Sequence, residues 1–120
     1  MSPITMVLAV LVAAEFVFIM YLETFATSSE MTSATFGMGK DELRRPSVRV
    51  LFQNQGVYNG LLAILVLVAS CGFRDVTWTA ILMGYIMLVA AYGSYSSNPT
   101  IFLKQGGLAT LTLLSCVLLR

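Results

Sequence analysis

With 120 residues, 58% of them hydrophobic and 11% charged, and a mean hydropathy of +0.84, the chain is far too apolar for a water-soluble domain of its size. A net charge of +1 without a basic run argues against nucleic-acid binding, which needs clustered Lys and Arg. The lack of His removes imidazole as base or metal ligand, and two cysteines cannot build a four-sulfur site, so neither a metal nor a cofactor is expected.

A helix needs about 20 apolar residues to cross the hydrocarbon core. Four stretches qualify, at about 4–25, 48–70, 76–95 and 101–119. The expected fold is all-α, a transmembrane four-helix up-down bundle, with residues 1–120 forming a single integral membrane domain. The first apolar run differs from a cleaved secretory signal, because no Lys or Arg precedes Lys40 and Glu15 interrupts it.

The first helix begins near Pro3, a residue suited to a first turn, and ends where Thr27-Ser28-Ser29 supplies turn chemistry. Glu15 and Glu23 are its ionisable residues. The connection at 27–47 is the longest, and Phe36, Met38 and Leu43 predict a short interfacial helix within it. Residues 71–75 and 96–99 read as tight turns, which make consecutive helices antiparallel neighbours. Gly56 and Gly60 form a GxxxG pair, and Ala80 and Gly84 have the same spacing. Both pairs read as close packing within one bundle, with a homodimer seam as the alternative. Trp78, Tyr85, Tyr92 and Tyr95 read as interface anchors or hydrogen-bonding aromatics. Cys71 and Cys116 both fall toward outer helix ends, where two apolar thiols are expected and a disulfide is the alternative.

Lys40, Arg44, Arg45, Arg49 and Lys104 lie on one side of the spans, against Arg74 and Arg120 on the other. The positive-inside rule therefore places the 27–47 loop in the cytoplasm and both termini outside, in the plasma (inner) membrane of the cell.

The second span is unusual because it carries amides, Arg49 and Tyr58 straight into the apolar run 61–69. Polar groups in hydrocarbon cost several kcal/mol unless they find partners, so this segment marks the candidate site. A rise of about 1.5 Å per residue sorts the polar groups into two layers. Near the cytoplasmic face lie Glu23, Arg49, Gln53, Asn54, Lys104 and Gln105. At mid-depth lie Glu15, Gln55, Tyr58 and Asn59. The inner layer reads as ion pairing of Glu23 with Arg49 or Lys104, or as a pocket for an anion or lipid headgroup. The central layer reads as a hydrogen-bonded core carboxyl, or as a proton or cation site at Glu15.

Glu15, the Tyr-Leu-Glu-Thr-Phe segment at 21–25, Phe36-Gly37, the Asn-Gln-Gly-Val-Tyr-Asn-Gly segment at 54–60, and Lys104-Gln105-Gly106 with Leu108-Ala109 resemble the family catalogued as domain of unknown function 1304. The resemblance covers nearly the whole chain and implies a four-helix integral membrane protein of bacterial type, without assigning a molecular role. One departure is Phe16, where that family often carries His, so a role that needs an imidazole beside Glu15 does not carry over. Small multidrug resistance transporters are similar in length, helix number and a helix-one glutamate, a likeness of architecture alone.

The leading expectation is a small proton- or cation-coupled transporter. In it Glu15 exchanges the proton, Tyr58 and Asn59 hold its hydrogen bonds, and Arg49 with Lys104 gates the cytoplasmic side. A structural or interaction subunit and a membrane enzyme acting on a lipid-like substrate are the alternatives. The partners expected are the lipid bilayer and an unidentified small molecule or ion, with a homodimer left open.

Overall fold

The computed structural model describes residues 1–96 and 102–119, and these form helices and turns without a strand. The chain runs through α1 (Pro3–Thr24), α2 (Glu30–Phe36), α3 (Lys40–Arg44), α4 (Pro46–Leu67), α5 (Val76–Ser96) and α6 (Gly107–Leu118). Single π-helical turns extend α4 over Val68–Gly72 and precede α6 over Phe102–Gly106.

Local chemistry explains most boundaries. The Ser2 hydroxyl accepts from the Ile4 amide, and Pro3 occupies the first helical position, where its missing N–H is no loss. Ser29 caps α2 by accepting from the Thr32 amide, and Gly37 ends it in the left-handed conformation at φ 66°. Arg45 is extended because it precedes Pro46, and this separates α3 from α4. Beyond the π turn, Arg74 adopts φ 51°, and the Asp75 carboxylate then accepts from the Trp78 amide at 3.1 Å to start α5. Of the turn expected at 96–99, residues 97–99 lie outside the described residues.

Among the described residues, three helices are long and apolar enough to cross a membrane: Pro3–Thr24, Pro46–Gly72 and Val76–Ser96. Of the fourth expected stretch, 101–119, the described part is helical from Phe102 to Leu118, the π turn running directly into the 12 residues of α6.

The chain divides into two compact units. In the unit formed by Phe16–Ala63, Phe16, Ile19, Leu22, Leu43 and Ala63 are buried. Two short helices stand where the sequence predicts one, and Phe36 and Leu43 meet protein while Met31 is exposed. Leu43 is fully buried, and Phe36 packs edge-on against Phe52 with ring centroids 5.2 Å apart. Thr32 ties α2 to the end of α1, its hydroxyl donating to the carbonyls of Ala26 (2.6 Å) and Leu22 (3.2 Å). These carbonyls lie at and just beyond the last turn of α1, where a helix leaves acceptors unpaired.

The second unit comprises Met1–Glu15 and the described residues from Ile64 onward. Within it α5 packs against α6 and against both π turns. Small and hydroxyl-bearing residues fill its interior: Ala9, Ser70, Thr79, Ala90, Ala109 and Thr112 are buried. The hydroxyls of Ser70 and Thr112 donate to carbonyls one turn back, at 2.6 and 2.7 Å, while those of Thr5 and Ser115 bond each other at 2.9 Å. Cys116 is buried in this unit and Cys71 is exposed, and the two thiols form no disulfide.

Candidate functional site

Two glycines set the site in the Phe16–Ala63 unit. A Cβ on Gly56 would overlap the Thr24 hydroxyl oxygen and lie 3.1 Å from the Thr24 amide nitrogen and 3.2 Å from Glu23 Cβ. A Cβ on Gly60 would lie 3.0 Å from Met20 Cγ. The GxxxG pair thus brings the backbones of α1 and α4 together within one chain, the packing role that small residues commonly play between apolar helices.

Close approach places Asn59, one turn beyond Gly56, beside Glu23. The Asn59 amide donates from Nδ2 to Glu23 Oε1 at 2.5 Å, and Glu23 is only 4% exposed. The Thr27 hydroxyl donates to the Glu23 main-chain carbonyl at 2.7 Å, closing the helix end above the carboxyl group. Thr24 Oγ1 is buried beside this pair and has no hydrogen-bond partner among the described residues. The cluster is therefore a buried carboxyl with a neutral donor on one oxygen, packed against glycine backbone.

This arrangement revises the two expected layers. Asn59, expected at the level of Glu15, pairs with Glu23. It stands six residues, about 9 Å, further along its helix than Gln53, the residue expected there. Phe52 of α4 packs on Phe36 of α2, and α4 approaches α1 closely at Gly56 and Gly60, so Asn59 lies level with the last turns of α1.

The expected pairing of Glu23 with Arg49 does not form. Arg49 is exposed. The ion pairs among the described residues are Lys40–Glu30 (3.1 Å), Arg44–Asp41 (3.6 Å) and Arg45–Glu42 (3.2 Å), all on the surface of the loop helices. Pairs so open to water add little to stability. Gln53 is half-buried, whereas Asn54, Gln55 and Tyr58 are exposed. Gln105 is half-buried in the π turn before α6, and the Lys104 side chain lies outside the described residues.

Glu15 belongs to the other unit. It is half-buried, and its Oε1 is enclosed without a hydrogen-bond partner among the described residues. An enclosed polar atom lacking a partner is uncommon in native structures and marks a position with an unmet interaction. No group of three or more Cys, Asp or Glu among the described residues is placed to hold a metal ion.

Thr24 and Met20 are members of the site that residue type alone did not single out. Their signal was indirect: small residues at Gly56 and Gly60 imply that something approaches closely, without saying what.

Residues 10–117 match the family described as protein of unknown function (DUF1304). The chain is also similar to the uncharacterized protein YpaA of Lactococcus lactis subsp. lactis (strain IL1403), being 53% identical over 116 residues that cover 96% of this chain and 98% of that protein. No solved structure matches it.

Proposed function

We propose that this chain, which belongs to the DUF1304 family, is a small integral membrane protein in which Glu15 serves as a proton- or cation-exchanging group for coupled permeation. One observation carries the proposal: a carboxyl oxygen enclosed without a partner, just past the middle of a 22-residue apolar helix. An ionisable residue retained inside a span is costly, and carboxyl groups so placed are characteristic of ion and proton pathways. The outward residues of α1 around it, Val7, Val10, Leu11 and Val17, are aliphatic and exposed, as suits a helix bathed by acyl chains.

In this reading the polypeptide is a four-helix up-down bundle of the plasma membrane, with α6 and its preceding π turn as the fourth, shorter element. The 27–47 loop is cytoplasmic and both termini face outward, following the distribution of Lys and Arg. Glu23 and Asn59 form a second polar station near the end of α1. Arg49 and Lys104 supply positive charge toward the cytoplasmic side.

A structural or interaction subunit is the second reading, favoured by the internal pairing of Asn59 with Glu23 and by the use of Gly56 and Gly60 in packing. The two separate in proteoliposomes carrying the parent chain or Glu15→Gln, with pH-driven flux and thermal stability followed together. Permeation predicts flux in the parent that is lost in the variant. Flux absent from both, with greater stability in Glu15→Gln, would overturn it and leave the structural reading.

A further inference from the structure

Among the described residues, Glu23 is the only buried acidic side chain, and no cation meets it. The charged groups of the elements around it are engaged elsewhere or face outward. Lys40, Arg44 and Arg45 pair with Glu30, Asp41 and Glu42 on the surface of α2 and α3. Arg49 and Tyr58 of α4 and Tyr21 of α1 are exposed. What the carboxyl group meets is the neutral amide of Asn59.

The choice of an amide has a chemical consequence. A carboxylate only accepts hydrogen bonds, whereas a carboxylic acid also donates one. An amide end carries a donor nitrogen and an acceptor oxygen, exchanged by a half-turn of the group. Asn59 therefore serves both forms of Glu23: Nδ2 donates to the carboxylate, and after the half-turn Oδ1 accepts from the acid. A Lys or Arg in its place would satisfy only the ionised form. Leaving a buried polar group unpaired is costly, so a partner for both states removes that cost from protonation and deprotonation alike.

A metal cation is served less well. Ions such as Ca2+ and Mg2+ gather about six or more oxygen ligands. The main-chain carbonyls at this end of α1 are already engaged: that of Glu23 accepts from the Thr27 hydroxyl, those of Leu22 and Ala26 from the Thr32 hydroxyl, and that of Tyr21 from the amides of Phe25 and Ala26. The close approach of Gly56 fills the space on the α4 side. The enclosed Thr24 hydroxyl has no partner among the described residues. One hydroxyl and one carboxyl group suit a proton but make no cage for a metal ion.

We infer that Glu23 and Asn59 form a proton-exchange pair, in which the carboxyl group gains and loses a proton while the Asn59 amide turns over to stay bonded to it. Uptake makes one carboxyl O–H bond. Release breaks it, leaves the electron pair on oxygen and passes the proton to water. As a proton-binding pair it stands on burial and pairing alone; as a second station for coupled permeation it rests on the reading above.

Infrared difference spectra of the full-length chain in lipid vesicles, taken between acidic and alkaline buffer, read the C=O stretch of protonated carboxyl groups. A band kept in Glu15→Gln and lost in Glu23→Gln, which retains an acceptor for Asn59, is expected. Absence of such a band, as when Lys104 or another cation holds Glu23 ionised, overturns the pair. Asn59→Leu should shift the band to higher frequency, and an unshifted band overturns the two-way role of the amide. The parent chain with labelled asparagine guards against misfolding of that variant: the Asn59 side-chain amide resonance should move at the same pH as the band, and a stationary resonance overturns the pair. Replacing sodium with a bulky organic cation should leave the titration unchanged, whereas a titration that follows sodium overturns the assignment to a proton. Flux separates the two levels. Flux in the parent without a Glu23 band overturns the pair and leaves permeation standing, and a Glu23 band without flux overturns permeation and leaves the pair.

Discussion

At the scale of single residues, the Glu23–Asn59 contact is where the fold is most exposed to substitution. Asn59→Ala leaves a carboxyl group that is 4% exposed without its amide donor, and stability should fall by about 1–3 kcal/mol. Unfolding in a detergent titration would measure this. Glu23→Gln retains an acceptor for Asn59 and should cost less. The double variant should then show coupling, because the two side chains share one bond. Both acids were visible in the sequence, since a carboxylate in an apolar run is conspicuous whatever the fold. Their partners were not. Residue type says that Asn59 will seek a carboxyl group, but two carboxyl groups were in range. Only the offset between α1 and α4 decides which one it meets.

At the scale of helices, glycine substitutions distinguish contact from vacancy. Gly56→Ala forces a methyl group onto Thr24, where the nearby amide nitrogen is backbone and cannot give way. A loss of about 1–3 kcal/mol is expected. Gly60→Ala meets only the flexible Met20 side chain and should be milder. Gly84→Ala, with nothing within 4 Å, should be neutral or stabilise by about 0.5–1 kcal/mol in the monomer, through better helix propensity. Thermal unfolding of the three variants side by side would check the order. The helices themselves were legible from apolar length and from Pro3, Asp75 and the 27–29 turn. The loop helices were half legible: Phe36 and Leu43 announced burial, yet what they bury against follows from Thr32 reaching back to the carbonyls of α1, a tertiary bond with no local signature. Apolar length marked the fourth stretch but not the π turn with which its described part begins.

At the scale of the whole molecule, the placement of the loop relative to the membrane can be checked with thiol labelling. Cys71, exposed at the far end of α4, should react with an impermeant maleimide from outside the cell. In a Cys71→Ser background, Ala34→Cys, on an exposed position of α2, should react only once the cytoplasmic side is opened. The reverse pattern would invert the proposed orientation. The expectation of antiparallel neighbours rested on the short turns at 71–75 and 96–99.

The length of α4 with its π turn has a further consequence. Its 27 residues rise about 40 Å, roughly 10 Å more than a hydrocarbon core. Except for Ser70, the polar side chains between Pro46 and Ser70 are confined to 47–59. In the proposed spanning arrangement residues 56–72 alone rise about 25 Å, so a core of about 30 Å brings Gln53, Asn54 and Gln55 down to the headgroup level. There water and headgroups still solvate them, so the thickness of the surrounding lipid sets how much of this polar girdle stays wet.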